Sequence, residues 1–453
     1  MEYNKKIPQD AIAIIGMLEQ HGFEAFIVGG CVRDILMNRI PNDWDITTSA
    51  TPEQVKKIFK RTYDTGIEHG TVTVILNKEH FEVTTFRTEE KYEDFRRPTS
   101  VNFVKDIVAD LSRRDFTMNA IAYHPERGFV DPYNGKLDIK HKVISSVRNA
   151  SDRFNEDALR ILRAVRFSAQ IGFEIDKQTT EGIVECKSLL SFISRERIRD
   201  EFTKICLSSN VYHIEKLYKL GLLEYIIPEF VPLFTTEQNH PHHIYDVAKH
   251  TIEVMKGVPS DIVLRYAALL HDIGKYKVQT IDKKGIHHFK DHALASEKMS
   301  RHILRDLKWD NNTIKEVCLL VKYHDYHLNQ VVDSILIKKL LRKLGEPLFD
   351  KLIILHEADA KAQNPAKLSK KLNLINKVNL LKDTIIQNNE CYTLKDLAIN
   401  GSDILNLNIV KNKKNIGDLL EYALNYVLEQ PTKNQKELLI DYVTTEALHV
   451  LPL

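Results

Sequence analysis

The sequence has few cysteines, no long apolar run and little net charge, and each shortage excludes a class of protein. Five cysteines are scattered over 453 residues without a C-x-x-C pair, which argues against a disulfide framework and predicts reduced thiols. No apolar run is long enough to cross a bilayer, and charged residues interrupt MEYNKKIPQDAIAIIGML too early for a signal peptide. We therefore expect a cytoplasmic protein that has no membrane partner.

The net charge of +2 argues against a uniformly basic nucleic-acid binder, although local basic stripes remain compatible with it. A chain of this length predicts several domains. Strand-like and helix-like segments alternate at first, and after Val147 the pattern is almost continuously helical. In the first part, GIEHGTVTVILNKEHFEVTTF predicts a hairpin around Asn77–Lys78, and TPEQVKKIFK predicts a helix with Thr51 as its cap. We predict an α+β fold divided at residues 1–145, 146–235, 236–365 and 366–453, with one helical layer on a small sheet in the first part.

The segment IVGGCVRDILMNRIPNDWD (27–45) combines a glycine turn, a short helix and two aspartates. Gly29 and Gly30 allow close approach of the backbone to phosphates, and the helix start offers N–H donors. Asp43 and Asp45 alternate along an extended segment, so both carboxylates face one cation site. This pattern predicts two-metal phosphoryl or nucleotidyl transfer. The ordinary interpretation is a strand that ends at the surface.

Two arginine-rich segments follow this motif. LSRRDFTMNAIAY (111–123) contains arginines that can clamp phosphate, and an Asp and an Asn that can hold ribose hydroxyls. NEDALRILRAVRF (155–167) places an aspartate and three arginines at i, i+3 steps, which predicts one broad helix face. Its ordinary interpretation is a solvated, salt-bridged helix. The residues concerned are Arg114, Asp115, Asn119, Asp157, Arg160, Arg163 and Arg166.

GGCVRD with DWD, RRDFTMNA, DPYNGKLD and EDALRILRAVRF resemble the ordered motifs of the class II tRNA nucleotidyltransferase family, which includes bacterial poly(A) polymerases. The resemblance implies a polymerase β-like head, a helical neck, a helical body and a helical tail. It also implies template-independent addition of CCA to the tRNA 3′ end from CTP and ATP. The alternatives are an A-adding enzyme and a poly(A) polymerase.

The same resemblance implies roles for individual residues. Asp43 and Asp45 would bind catalytic Mg²⁺, and Gly30 and Arg33, beside Gly29, would contact the triphosphate. The ribose-sensing motif would be Arg114, Asp115 and Asn119; Asp157 and Arg160 would select the base, supported by Arg163 and Arg166. The charged segment at 88–104 resembles the loop that full CCA-adding members use to switch from C to A, which favours complete CCA addition.

Histidines and aspartates are concentrated between residues 240 and 363. Their side chains suit a first-row divalent metal. PHHIYDVAKHT, LLHDIGK and HEADAKAQ resemble the HD phosphohydrolase superfamily, which implies His250, His271, Asp272 and Asp359 as ligands. Lys275 would fit the Gly-Lys that follows the His-Asp pair, and His292 and His324 would hold a second metal. The chain could therefore be mainly an HD phosphohydrolase, or this region could be a decayed HD fold that only binds RNA.

A group of lysines follows the histidine-rich region and predicts a basic helix that tracks the backbone of an RNA duplex. We expect this helical tail, residues 366–453, to bind the tRNA 3′ end and acceptor arm by shape. The pattern does not predict the oligomeric state. The lysines are Lys361, Lys367, Lys370, Lys371 and Lys377, with KNKKN at 411–415.

Overall fold

The computed structural model describes residues 3–93, 97–325, 332–407, 409 and 413–447. The chain forms two compact units, residues 1–231 and 232–453. The finer four-part division stays a prediction. Asp94 and Arg96, within the predicted switch loop, and residues 411 and 412 of the last lysine run lie outside the described residues.

A seven-stranded sheet dominates the first unit, and its order is β3-β4-β5-β2-β1-β8-β9. Strands β2 and β5 are parallel, so Asp45 lies opposite Glu82. The remaining strands of this unit form a β6–β7 hairpin and a β10–β11 pair. The strands are β1 Ala25–Val28, β2 Asp45–Thr48, β3 Thr62–Gly66, β4 Thr71–Leu76, β5 Glu79–Thr85, β6 Arg87–Glu93, β7 Arg97–Phe103, β8 Ala122–His124, β9 Gly128–Val130, β10 Val143–Ile144 and β11 Glu174–Ile175.

Local sequence explains several of these elements. Asn77 and Lys78 both have positive φ, as a tight turn between β4 and β5 requires, and the predicted hairpin is confirmed. The segment at 88–104, whose composition is typical of a solvated loop, instead contains the antiparallel β6–β7 hairpin.

The described residues of the first unit contain eleven α-helices. The helix that begins at Pro52 has the predicted Thr51 cap, completed by Gln54 as a capping box. The helices are α1 Gln9–Gln20, α2 Gly30–Leu36, α3 Pro52–Ile58, α4 Ile107–Ser112, α5 Gly135–His141, α6 Ala150–Glu156, α7 Leu159–Ile171, α8 Lys177–Cys186, α9 Arg195–Cys206, α10 His213–Lys219 and α11 Leu223–Ile226. Short 3₁₀ turns occur at Tyr3–Lys6, Ile67–His69, Thr117–Asn119 and Lys187–Phe192.

The core that supports the sheet lies between β1 and α4. Phe26 and Val28 from the strand pack with Ile107 and Leu111 from the helix, and all four are buried. This packing fixes the C-terminal end of α4, where the RRD sequence begins. The predicted α+β class with a small sheet is confirmed.

The second unit is almost entirely helical within its described residues. Its two short strands, β12 Thr280–Ile281 and β13 His287–His288, pair as a hairpin. A separate small core, centred on Ile404, Leu419, Leu424 and Leu439, holds the last helices together. The helices are α12 Val247–Gly257, α13 Ile262–Leu270, α14 Lys275–Val278, α15 His292–Asp306, α16 Asn311–Tyr323, α17 Ser334–Leu344, α18 Glu346–Lys361, α19 Pro365–Gln387, α20 Gly401–Asn406, α21 Lys413–Glu429 and α22 Lys436–Tyr442.

Shorter helical turns complete the chain at Pro228–Thr235, Leu394–Asp396, Pro431–Lys433 and Val443–Ala447. Among the described residues, no helix has the length and apolar character needed to span a membrane.

Candidate active sites

Three carboxylates meet at the start of the central strand β2 in the first unit, and we call this group the carboxylate edge. Asp45 begins β2 and lies opposite Glu82 of β5. Asp43 lies in the bend that precedes β2, so the predicted alternation within one strand is wrong, although the two carboxylates still interact. Burial raises the pKa of Asp45 to about 6, and the charges of Asp43 and Glu82 also raise it while Arg114 opposes them. This concentration of negative charge favours a bound cation.

Gly29 brings the main chain close to this carboxylate edge. Its φ of 83° is in the left-handed region, and it caps α2. A Cβ atom at this position would lie 2.9 Å from an Nη atom of Arg114 and 3.8 Å from Asp45 Oδ2. A side chain at this position would therefore strain the backbone and displace the guanidinium of Arg114.

A continuous hydrogen-bond network joins four of the predicted nucleotide-binding residues. Arg33 donates to Asn119 Oδ1 at 2.9 Å, and Asn119 donates to Asp115 Oδ1 at 3.1 Å. Arg163 donates to Asp115 Oδ2 from two nitrogens, at 2.8 Å and 2.6 Å. Residues from α2, the 3₁₀ turn Thr117–Asn119 and α7 are thus brought together, as the resemblance implies.

Asp115 is the centre of this network. Burial opposes its ionisation, but the charge of Arg163 and the hydrogen bonds from Asn119 and Arg163 lower its pKa to about 2. The carboxylate is therefore ionised at neutral pH and fixes the orientation of both donors.

The three arginines of α7 do not form the solvated face that a charge run usually indicates. Arg160 and Arg166 are buried. Arg166 pairs with Glu201 at 3.2 Å, and Arg160 pairs with Glu156 at 2.8 Å. Each arginine, including Arg163 on Asp115, meets a carboxylate of the protein itself, and this is why the like charges can share one helix.

Asp157 is not on that helix. It ends α6 with an extended φ of −137° and ψ of 102°, so the prediction of one helix face running from Asp157 to Arg166 is wrong. Its carboxylate accepts hydrogen bonds from the Leu159 N–H and from Arg197, each at 3.1 Å. Arg160 donates to the main-chain oxygens of Arg153 and Arg113, each at 3.0 Å.

Two residues that hold this site were not identified from the sequence. Asp110, fully buried on α4, pairs with Arg113 at 2.8 Å and lies 3.6 Å from Arg114. An acidic residue three and four positions before two arginines, on the apolar face of IVADLS, was the available signal. Arg197 lies within SRERI, but nothing in its local pattern indicates a contact with Asp157.

The second unit gathers four histidines around Asp272. Its Oδ2 lies 3.1 Å from His271 Nε2 and 3.5 Å from His250 Nε2. Its Oδ1 lies 3.4 Å from His292 Nε2 and 3.7 Å from His324 Nε2. The ligand atoms of His250, His271 and Asp272 lie within 4.8 Å of one another, and so do those of Asp272, His292 and His324. One aspartate therefore belongs to two potential metal sites.

All four imidazoles are oriented by their other nitrogen. Each Nδ1 lies within hydrogen-bond distance of a main-chain carbonyl oxygen, which assigns the proton to Nδ1 and directs the Nε2 lone pair to the centre. The Nε2 atoms of His250 and His271 are 3.3 Å apart, and those of His292 and His324 are 3.1 Å apart. Facing lone pairs at these distances suit a shared cation. The acceptors are Ala362 at 3.3 Å, Ala268 at 2.8 Å, Phe289 at 2.9 Å and Val321 at 2.7 Å.

Asp359 of α18 completes the cluster at 2.9 Å from His250 Nε2. Burial opposes the ionisation of Asp272, but His271 and Lys275 hold its pKa well below the usual range. Burial also lowers the pKa of His292 to about 3, so this ring is neutral at pH 7. Anionic carboxylates and neutral imidazoles are the donor forms that a first-row divalent metal binds.

Family models match three parts of the chain. Residues 25–145 match the poly A polymerase head domain, and residues 172–233 match a probable RNA- and SrmB-binding site of polymerase A. Residues 283–443 match domain 2 of tRNA nucleotidyltransferases. The chain belongs to the class II tRNA nucleotidyltransferase family.

Curated relatives of this chain include CCA-adding enzymes. That of Lactobacillus delbrueckii subsp. bulgaricus is 50% identical over 200 residues, which are 44% of this chain and 50% of the relative. That of Listeria monocytogenes is 51% identical over 217 residues, or 48% and 55% of the two chains. The chain thus spans about half the length of the curated relatives it matches.

One solved structure resembles this chain over almost its whole length. The CCA-adding enzyme of Bacillus stearothermophilus in complex with CTP superposes with a TM-score of 0.74 at 28% identity, covering 98% of both chains. The head match contains the carboxylate edge together with Arg33, Asp115 and Asn119 of the network, whereas Arg163 lies outside it. The domain 2 match begins after Asp272, so it includes Asp359 but excludes His250 and His271.

Proposed function

We propose that the first unit adds CCA to the 3′ end of tRNA, using CTP and ATP. The observation that carries this proposal is the carboxylate edge of Asp43, Asp45 and Glu82 beside the network centred on Asp115. The curated relatives named above are CCA-adding enzymes, and the similar solved structure contains CTP. The macromolecular partner would be tRNA, which the protein would contact at the 3′ end and the acceptor arm.

Asp43 and Asp45 would hold Mg²⁺, the metal that this family typically uses. The ion would acidify the attacking 3′-hydroxyl and neutralise charge on the triphosphate. Arg33 would bind the triphosphate beside Gly29 and Gly30, because its guanidinium is held by Asn119. Asp115 and Asn119, together with Arg114, would hold the ribose.

Asp157 and Arg160 would select the base, with Arg163 and Arg166 supporting the nucleotide. A carboxylate can accept from the exocyclic amino group of cytosine or adenine, and a guanidinium can donate to the ring nitrogen beside it. Guanine and uracil present the opposite pattern and would leave buried groups unpaired, a mismatch that costs several kcal/mol. The segment at 88–104 supports complete CCA addition over CC addition.

Product sequencing tests this proposal directly. Purified protein is incubated with tRNA that ends at the discriminator base, plus CTP and ATP, and the added nucleotides are read. The proposal expects C, C and A; long A tails or no C incorporation would instead identify the poly(A) polymerase or A-adding alternative. Asp45→Asn should abolish addition, whereas Asp64→Asn, which removes an exposed carboxylate of β3 in the same sheet, should not.

The four histidines around Asp272 favour a second activity in the same chain. We infer that the second unit is an HD phosphohydrolase, in which His250, His271, Asp272 and Asp359 hold one metal and His292 and His324 share Asp272 with another. The metals would activate water and polarise a phosphate ester. Lys275 lies 2.7 Å from Asp272 and would hold this carboxylate in place.

Metal content and hydrolysis together test the second activity. Wild-type protein should bind about two first-row divalent ions by elemental analysis, and His271→Ala should lose metal together with phosphatase or phosphodiesterase activity. Asp43→Ala with Asp45→Ala should keep that activity while nucleotide addition is lost. A wild-type protein that binds no metal in the second unit would show that the HD fold is retained only as an RNA-binding body.

A further inference from the structure

The metal cluster of the second unit opens into a cavity that is strongly basic. The cavity has a volume of about 1490 Å³, and seven lysines and four aspartates line it. Two of the aspartates, Asp272 and Asp359, are the proposed metal ligands, so bound metal would leave the lysines in large excess. The lining therefore suits a polyanion rather than a neutral or cationic substrate.

Four of these lysines come from a single helix, α19. Lys367, Lys370, Lys371 and Lys377 all line the cavity, and the first and last are separated by about 15 Å along the helix axis. Among the described residues, Lys367, Lys370 and Lys377 have no recorded ion-pair partner. A row of this length can contact more than one phosphate group. The same lysines predict a helix that tracks the backbone of an RNA duplex.

The lysine row of α19 (Lys367, Lys370, Lys371 and Lys377) is joined through Lys371 to the proposed metal ligands. Lys371 is hydrogen-bonded to Gln363, and Gln363 donates to Asp359 Oδ1 at 2.8 Å. A phosphate bound along α19 would therefore lie on a path that leads to the metals. An ordinary solvated lysine face would show no such connection to a buried carboxylate.

The size and the flat surfaces of the cavity indicate more than a mononucleotide. Its volume exceeds the roughly 300–1,000 Å³ of ordinary small-molecule pockets. His240 and His242 stack with ring centroids 5.1 Å apart and an angle of 17°, and both line the cavity with Phe289. Planar side chains beside a basic row are the two components of single-strand binding, because bases stack while phosphates pair with lysine.

Building on the proposed phosphohydrolase function, we propose that this cavity binds the phosphorylated end of a single-stranded nucleic acid. The terminal phosphate would lie beside Asp272 and Asp359, which would hold the metals, and the next phosphates would lie along Lys367, Lys370 and Lys377. Water adds to the terminal phosphorus, the ester P–O bond breaks, and the leaving oxygen takes a proton from that water. The products are inorganic phosphate and a strand that ends in a hydroxyl group.

Length dependence of hydrolysis tests the proposal. Terminally phosphorylated strands of one, two, four and eight nucleotides are compared, in RNA and DNA series and with the phosphate at either end. We expect KM to fall as the strand lengthens. In the double variant Lys367→Gln/Lys370→Gln, the preference for the octamer over the mononucleotide should fall about tenfold. Lys382→Gln is the matched control, since this lysine of α19 pairs with Asp350 at 2.9 Å and does not line the cavity.

Binding provides a readout that does not need turnover. Anisotropy of a labelled octamer should give a salt dependence whose slope falls by about 1.4 in the double variant, because two phosphate contacts of a single strand are lost. Equal KM values for all lengths, with hydrolysis intact, would overturn the nucleic-acid proposal and leave the phosphohydrolase standing. If no substrate is hydrolysed, the proposed phosphohydrolase activity is wrong. An unchanged salt slope in the double variant would also overturn the proposal that the α19 lysines bind the phosphates.

Discussion

At the scale of single residues, the clearest constraint lies at Gly29. The residue combines a positive φ with an approach to Arg114 so close that one additional carbon atom would contact the guanidinium. Gly22 has almost the same φ, 84°, but nothing lies within 4 Å of the position of its Cβ. Substitutions at the two glycines can therefore distinguish the effect of backbone strain from the effect of displacing Arg114.

Gly29→Ala should reduce nucleotide addition on the order of 10²-fold, because Arg114 must move away from the carboxylate edge. Gly22→Ala should carry a similar backbone strain, about 1–3 kcal/mol, and keep its activity. Steady-state kinetics and melting temperatures of both variants provide the comparison. Equal activity losses in the two variants would mean that strain alone, not the contact with Arg114, is responsible.

Asp115 predicts an acid-labile contribution to stability. Its folded-state pKa of about 2 lies below the unfolded value, so the contribution is fully present above about pH 4–5 and is lost as the pH falls towards 2. The wild type should lose about 2 kcal/mol more than Asp115→Asn between pH 5 and pH 2. Urea unfolding across this range measures the difference, and parallel curves for the two proteins would contradict it.

At the scale of elements, the interruption between α6 and α7 shows what local pattern cannot predict. NEDALRILRAVRF contains good helix formers and neither Gly nor Pro, so its periodicity predicts an unbroken helix. At the break, the Asp157 carboxylate accepts a hydrogen bond from the nearby Leu159 N–H and another from Arg197, and the second partner lies forty residues away. By contrast, the β4–β5 turn at Asn77–Lys78 and the Thr51 cap depend on neighbouring residues only, and both were predicted correctly.

Arg197→Ala should weaken nucleotide selection in the same direction as Asp157→Ala. Without the 3.1 Å pair, Asp157 loses its fixed orientation but remains present, so misincorporation should rise by a smaller factor, roughly fivefold to tenfold. Competition between CTP and UTP on truncated tRNA measures the ratio. Arg197→Lys, which keeps the charge, should recover part of the selectivity; a fall in rate with unchanged selectivity would assign Arg197 a purely structural role.

At the scale of the whole molecule, the chain carries two clusters of ionisable groups in two compact units. Part of each cluster could be identified from the sequence, because DWD and LLHDIGK place two of the carboxylate or imidazole groups within three consecutive residues. The cavity around Asp272 was not identifiable in this way, because four of its lysines come from α19 and its proposed metal ligands come from five other helical segments. These residues are far apart in the sequence and come together only in the folded chain, so no local pattern predicts the cavity.

Metal should stabilise the second unit independently of the first. An ion at about one hundred times its Kd should raise the melting temperature of that unit by about 5–10 °C. The increase should be lost in His271→Ala and kept in Asp43→Asn/Asp45→Asn. His302→Ala, which removes an exposed histidine of α15, is the matched control in differential scanning calorimetry. A shift that His271→Ala preserves would place the stabilising ion elsewhere.

The break at Asp157 also has a mechanical consequence. A carboxylate and a guanidinium on one continuous helix would keep a constant spacing, and a recognition pair of constant spacing fits one size of partner. Here only the guanidinium belongs to α7, while the carboxylate lies in extended backbone between two helices. The gap between them is therefore set by the contacts of Asp157 with Arg197 and the Leu159 N–H, and not by the pitch of one helix. A change in those contacts would alter the gap, as a pocket that accepts first a pyrimidine and then a purine would require.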